Sequence, residues 1–389
     1  MSSGKVYKPK PVSGFPEWLP EQRLIEQQWF DHIRRVFESY GFCNIETPSV
    51  EELDVIAAKG EVDKEIYVIE RLHKEDGESK EARLALHFDQ TVPLARYVAQ
   101  HWDKLVFPFK RYQMQRVWRG ERPQAGRFRE FYQCDIDVIN NDTLPLHFDA
   151  EMPAIIWEIL TGITGMENEK IQLRISNRKI LMGLLRAYGI KDTLRMMEYT
   201  RLIDKLEKIG EKETRIGLKL NLRLDKLNEE FANSFMSLAQ IKSSPSEFSG
   251  LLHDFVARND VIARSAGDEA IQTLNEGIKE LETVMENLKH LPPSAVIADL
   301  SIVRGLDYYT GTVYETVFTD DPGYGSICSG GRYDDLASSY INKKLPGVGI
   351  SIGFSRLFAR LVEKGAFDLK RKSPADVLMV LPSEEKRAE

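Results

Sequence analysis

The chain is short of the residues that staple or clamp a fold. Its three cysteines, Cys43, Cys134 and Cys328, lie far apart with no paired spacing. A disulfide framework or structural zinc site is therefore not expected, and three ordinary buried thiols are. The seven histidines form no i, i+4 pair and no HxH arrangement, so no metal site is legible from side-chain spacing. No apolar run nears the roughly 18 residues that span a bilayer, and the opening MSSGKVYKPKPVSG lacks a signal-peptide core. The chain reads as cytoplasmic. Positive charge is in deficit, with 53 Lys and Arg against 60 Asp and Glu and a net charge of -7. That argues against a general nucleic-acid coat but leaves a local basic patch open.

What is present suffices for two or three domains: 389 residues, 42% hydrophobic and 29% charged. The scarce positive charge gathers in one stretch. Between Lys104 and Arg129 eight Lys or Arg (Lys104, Lys110, Arg111, Arg116, Arg119, Arg122, Arg127, Arg129) face one acid, Glu121. The stretch reads as a hairpin. Its arms carry Tyr112, Met114, Val117 and Trp118, then Phe128, Phe131, Tyr132, Ile136, Val138 and Ile139, joined by a turn from Gly120 to Gly126 that contains Pro123. Arginines along an extended arm can fork onto phosphate oxygens; a solvated basic hairpin has the same pattern.

Upstream, Glu21 to Tyr40 has helical spacing of Leu24, Ile25, Trp29, Ile33, Val36, Phe37 and Tyr40. Gly41 ends the helix and FCNIETPSV follows as a strand closed by Pro48. Its apolar face suits either an intrachain core or a dimer seam. Two alternating strands, IYVIERL and ARLALHF, flank the turn HKEDGESKE. Asp89 and Thr91 then precede the helical run LARYVAQHW, a pairing that suits either an ammonium group or a helix cap.

Downstream, a helix over Leu146 to Thr161 leads to the strand IQLRISN, and Arg178 to Leu291 reads as an inserted helical module ending at Pro292-Pro293. Alternation resumes at Val296, and PGVGISIGFSRLFARLVEKG reads as a strand running into a helix. Gly347, Gly349 and Gly353 are spaced G-x-G-x-x-x-G, which is not a dinucleotide fingerprint. The tail, SPADVLMVLPSEEKRAE, offers one strand and a helix start, too little to fold alone, so the chain reads as cut inside a further domain.

Taken together, these blocks resemble the class II aminoacyl-tRNA synthetases. Arg119 to Pro123 through Arg127 to Gln133 resembles class motif 2, Gly349 to Arg356 resembles motif 3, and the first helix, strand and Pro48 resemble motif 1. Arg304-Gly305-Leu306-Asp307-Tyr308-Tyr309-Thr310-Gly311 and Ser329-Gly330-Gly331-Arg332-Tyr333-Asp334 resemble the two signature peptides of the histidyl-tRNA synthetases. The resemblance runs from about Gly14 to Glu389. It implies an α+β fold, an antiparallel sheet flanked by helices with an inserted helical domain and the start of an α/β anticodon-binding domain. The implied boundaries are 1–177 and 292–370 for the catalytic domain, 178–291 for the insertion and 371–389 for the anticodon-binding start.

The resemblance also implies an activity: ATP-dependent activation of histidine and its transfer to tRNA(His), with ATP and Mg²⁺. It puts Arg119 and Arg304 in the catalytic role, and Arg119, Glu121 and Arg356 on ATP. Asp89, Thr91, Gln133, Asp137, Arg304, Tyr308 and Tyr309 fall on histidine, and Gln124, Gly126 and Arg127 at the tRNA acceptor end. A homodimer through motif 1 is implied as well. Asp137 and Tyr309 would supply the acceptor and donor that a neutral imidazole ring requires. Two positions depart from the family pattern: His87 stands where many members have Arg, and Ser355 where many have Glu. Two other readings share the fold, the histidine-sensing regulatory subunit of ATP phosphoribosyltransferase and a synthetase-like domain of a tRNA-sensing kinase.

Overall fold

Strict alternation along two ten-residue strands organises the molecule. The computed structural model describes residues 8–377 and 380, apart from 58–64, 74–82, 125, 226, 228, 260–268, 304–308, 336, 338 and 339. In chain order the described strands are β1 (Cys43–Asn44), β2 (Val50–Glu52), β3 (Val68–Ile69), β4 (Leu84–Leu86), β5 (Phe109–Trp118) and β6 (Glu130–Ile139). They continue with β7 (Ile171–Asn177), β8 (Lys242–Ser243), β9 (Val296–Asp299), β10 (Thr312–Phe318), β11 (Cys328–Tyr333) and β12 (Gly347–Ile352). Among the described residues they form one nine-stranded sheet, β1-β5-β6-β12-β11-β10-β7-β9-β8, and a three-stranded sheet, β2-β4-β3. From β5 to β7 every pairing is antiparallel, while β1 on β5 and β9 on β7 are parallel.

On β6 the side chains of Cys134, Ile136 and Val138 are fully buried in the core, and Gln133, Asp135 and Asp137 take the other face, as a period of two requires. Two helices cover the apolar face. Pro20–Ser39 buries Trp29, Ile33, Val36 and Phe37, and Gly41 follows it at φ +80°, a left-handed C-terminal stop. Trp29 meets Phe354 and Phe358 edge-on at 5.7 and 5.2 Å, so the apolar side of this helix is spent inside the chain. His147–Gly162 is the second cover.

The first strand is shorter than FCNIETPSV suggested. Among the described residues β1 has a partner on one side only, and the Ile45 amide adds one last bond to Tyr112 O at 3.0 Å before the chain leaves the sheet. IYVIERL and ARLALHF likewise contribute only β3 and β4, and most of the turn between them, 74–82, lies outside the described residues. Part of the tail does too, and Ser373 to Val377 carries no strand.

Residues 178–291 form the helices Arg178–Ala187, Thr193–Asp204, Leu206–Asp225, Glu229–Ala239, Phe248–Arg258 and Glu269–Asn287, with Lys242–Ser243 joining the sheet edge. The first and last cross closely because a Cβ on Gly183 would stand 2.6 Å from Leu274 N and one on Gly277 2.9 Å from Ile180 N. One buried cluster holds Ile180 and Leu274 together with Trp29 and Phe354. Among the described residues no helix is long and apolar enough to cross a membrane.

Beneath the sheet sits a buried ion pair. Arg332 Nε donates to both carboxylate oxygens of Asp149, at 3.0 and 3.1 Å, its Nη2 donates to Leu144 O at 3.1 Å, and the Tyr314 hydroxyl donates to Asp149 O at 2.8 Å. Asp149→Asn keeps the volume but leaves Arg332 without its counter-charge. A loss of about 3–5 kcal/mol is expected in urea unfolding.

Candidate active site on the open face of the sheet

The register collects the polar residues of several strands. In the β5–β6 pairing Arg111 faces Asp137, Gln113 faces Asp135 and Gln115 faces Gln133. β12 sets Gly349 beside Asp137 and Ser351 beside Asp135, and β11 sets Ser329 beside Ser351. The result is a polar strip across the sheet.

Asp137 closes one end. Its Oδ2 lies 2.6 Å from Arg111 Nη2, its Oδ1 accepts from the Tyr333 hydroxyl at 3.0 Å, and both Arg111 and Asp137 are buried. A Cβ on Gly349 would stand 2.1 Å from Asp137 Oδ1, so only glycine leaves the carboxylate this position. Burial pushes the Asp137 carboxyl up to about 7, against the pull of Arg111. Tyr309 lies over the sheet beside Gly331, where an added Cβ would come within 2.9 Å of its ring.

Asp89 takes the helix-capping role that its sequence allowed. Oδ1 accepts from Val92 N at 3.1 Å and caps the helix Thr91–Gln100, while Oδ2 is buried without a hydrogen-bond partner. Burial raises this carboxyl to about 6. Thr91 is the first residue of that helix. Gln133 Nε2 donates to Ser351 Oγ at 2.7 Å, and its Oε1 is buried without a partner.

Arginines mark the other end. A cleft of about 330 Å³ has Arg119, Arg127 and Arg356 on its walls and Gln133, Ser329 and Ser351 on its floor. Arg119 is steadied by Nε donating to Phe88 O at 3.1 Å and by the Phe131 ring 5.2 Å beneath its guanidinium. Arg356 Nη1 donates to Ser326 O at 3.0 Å, Nη2 donates to Tyr324 O, and the Tyr324 ring lies 4.9 Å away. Above them the hairpin turn closes on itself: Arg127 N donates to Gln124 O at 2.9 Å and Arg127 Nη1 to Glu121 Oε2 at 3.2 Å. Gly126, at φ +67°, packs onto Tyr324, whose hydroxyl would be 2.5 Å from an added Cβ. Such a cleft suits a polyanion.

The structure therefore brings Asp89, Thr91, Arg119, Glu121, Gln124, Gly126, Arg127, Gln133, Asp137, Tyr309 and Arg356 to this face or its rim. Arg304 and Tyr308 lie outside the described residues. Sequence reasoning missed Arg111, Gln113, Asp135, Ser351 and the contact of Tyr333 with Asp137. The alternation Arg111-x-Gln113-x-Gln115 in a strand predicted to be half-buried was the available signal. At the two departures the side chains bind backbone: His87 Nε2 donates to Arg116 O at 2.7 Å with burial keeping the ring neutral, and Ser355 Oγ accepts from Tyr132 N at 2.9 Å.

Comparison with known proteins shows the family. A family description, histidyl-tRNA synthetase, matches residues 14–357. The chain belongs to the histidyl-tRNA synthetase family. A histidine–tRNA ligase of Thermobifida fusca (strain YX) is 53% identical over 390 residues, covering 100% of this chain and 84% of the relative. One from Bifidobacterium longum subsp. infantis is 44% identical over 379 residues, covering 97% and 79%. The crystal structure of histidyl-tRNA synthetase from Nostoc sp. PCC 7120 superposes with a TM-score of 0.82 at 40% identity, covering 98% of this chain and 81% of that one. A Bacillus halodurans structure described as an ATP phosphoribosyltransferase regulatory subunit/histidyl-tRNA synthetase, at 20% identity and a TM-score of 0.72, shares the fold.

The raised carboxyls of this face carry a pH signature. Their pKa in the unfolded chain is about 4, so protonation favours the folded state. That contribution is complete below about pH 4 and is lost as pH rises through about 6 for Asp89 and about 7 for Asp137. Asp137→Asn cannot ionise, so whatever it loses with the Arg111 pair, its stability should rise relative to the unaltered protein as pH goes from 5 to 8. Urea midpoints across that range check it, and parallel curves would contradict the raised carboxyl.

Proposed function

We propose that the chain joins histidine to ATP to form histidyl-adenylate and then transfers the histidyl group to the 3′ end of tRNA(His). Family membership supports this, and one observation carries it: three arginines surround a cleft whose floor runs on to Gln133 and a doubly held Asp137.

Activation forms a bond between a histidine carboxylate oxygen and the α-phosphorus and breaks the bond to pyrophosphate, so charge must be neutralised while the reactants are held in line. Arg119 holds the α-phosphate and the carboxylate, Arg304 the α-phosphate from the opposite side, and Arg356 the γ-phosphate end. Glu121 completes the ATP set, and ATP arrives as its Mg²⁺ complex. Asp89, Thr91 and Gln133 take the α-ammonium group, Asp137 with Tyr309 the imidazole nitrogens, and Arg304 and Tyr308 are assigned to histidine by the family resemblance. A site that pairs both nitrogens rejects apolar isosteres because it would bury unpaired polar groups.

Gln124, Gly126 and Arg127 meet the acceptor end of tRNA(His), and the helical module 178–291 clasps the acceptor stem, with phosphate contacts giving salt-dependent affinity. Because the apolar side of Pro20–Ser39 is used inside the chain, a homodimer forms through the other side of this helix and the open edge of β1. tRNA charging places the enzyme in the cytoplasm.

Histidine-dependent exchange of pyrophosphate into ATP tests the reading. Exchange is expected, and histidine binding without exchange would favour a histidine sensor. Arg304→Ala should lower exchange by about 100-fold or more while histidine binding stays near its starting value. Light scattering should give the mass of two chains, and a stable monomer would remove the dimer from the proposal.

A further inference from the structure

Arg356 stands where a cation needs help to stay. It is the third residue of the helix Phe354–Glu363, at the end whose backbone dipole disfavours positive charge, and Arg119 and Arg127 line the same cleft. The groups that hold its guanidinium come from one short turn, Pro322–Tyr324 and the two residues after it. Nη2 donates to Tyr324 O, Nη1 donates to Ser326 O at 3.0 Å, and the Tyr324 ring lies 4.9 Å from the guanidinium. These three groups are neutral, so they orient the guanidinium without cancelling its charge.

Tyr324 is itself fixed from several sides. Its hydroxyl donates to Arg356 O at 2.8 Å, which ties the turn to the helix backbone. Gly126 covers that hydroxyl so closely that a Cβ there would stand 2.5 Å from it, leaving the ring no room to swing toward the hairpin turn. Asp321, just ahead of the turn, accepts from Arg360 Nη1 at 2.6 Å, one helical turn beyond Arg356, and so ties the turn to the helix a second time. Gly325 completes the fit. Its φ of +85° and ψ of -175° suit glycine almost alone, and a Cβ there would come within 3.0 Å of Arg356 Nη2.

We infer that Tyr324 is a positioning residue for the triphosphate of ATP, acting through Arg356, which its carbonyl and ring face hold at the cleft. This rests on the proposed assignment of Arg356 to the γ-phosphate end.

Tyr324→Leu is the direct test, since it keeps the carbonyl but removes the ring and the hydroxyl. Pyrophosphate exchange should show the KM for ATP rising about fivefold to tenfold, with the KM for histidine within about twofold. Adenosine monophosphate, which lacks the two outer phosphates, should compete with ATP equally well on both proteins. Tyr324→Phe restores the ring and should bring the KM for ATP most of the way back. An unchanged KM for ATP in Tyr324→Leu, a loss of adenosine monophosphate binding in step with it, or a Tyr324→Phe no better than Tyr324→Leu would overturn the inference. If Tyr324→Leu does not fold, Tyr324→Met fills the same space without a π face and carries the same expectations. Arg356→Ala separates the inference from the reading beneath it. If it leaves the KM for ATP unchanged, the assignment of Arg356 falls and the inference with it; if it raises that KM while Tyr324→Leu does not, only the role of Tyr324 is refuted. Absence of exchange in the unaltered protein would instead refute the proposed reaction.

Discussion

Arg111 imposes the condition to which the site is built. Its guanidinium is fully buried. A buried cation must be met by negative charge and hydrogen bonds or it costs several kcal/mol. Asp137 supplies the charge at 2.6 Å and Gln113 an acceptor at 3.5 Å, both from the antiparallel β5–β6 ladder. Asp135 lies two residues from Asp137 on the same face, and burial raises the carboxyls of Asp89, Asp135 and Asp137 alike. A cationic ligand placed among them would favour their ionised forms.

β11 links this face to the core. Arg332 points beneath the sheet, where Asp149 and the Leu144 carbonyl hold it, and the next residue, Tyr333, points above and donates to Asp137. Successive strand residues face opposite ways, so fixing one fixes the other. The Arg332 carbonyl also accepts from Thr310 N at 2.8 Å, which anchors the chain just after Tyr309. A buried pair that looks purely structural thereby sets the height of two tyrosines at the site, and its loss would be felt in geometry as well as stability.

The fold was legible wherever period and punctuation agreed. The helix ended by Gly41, the long hairpin and the strand-to-helix step at Gly353 were each visible because apolar spacing and a turn residue coincided. Short pieces were less so: β1, β3 and β4 owe their limits to the partners available, which lie elsewhere in the chain. For the site, residues inside motifs were legible and those between them were not. Asp135 stands two residues from Asp137 in plain view, yet its cross-strand neighbour Ser351 is more than 200 residues away, set by a register that no local pattern reveals. His87 and Ser355 are the same case, since His87 Nε2 and Ser355 Oγ each bond backbone that only the fold brings near.

The order of groups along β6 gives a physical reading of the proposed substrate's path. Asp137 and the level of Phe131, where Arg119 stacks, are six residues apart, about 20 Å at the rise of a strand. Asp135 and Asp137 lie at one end, with Arg111 already paired to Asp137, while Arg119 and Arg356 lie toward the Phe131 end and Gln133 lies between. Histidine is itself polarised in this sense, with a ring and ammonium group that accept negative surroundings and a carboxylate that does not. Laid along the strip, its carboxylate is driven toward Arg119, where ATP brings further negative charge that the same arginines compensate. The gradient thus favours the one orientation in which carboxylate and α-phosphate meet. Reversing the amino acid would set its carboxylate against Asp135 and Asp137 in a buried setting, where like charges cost most.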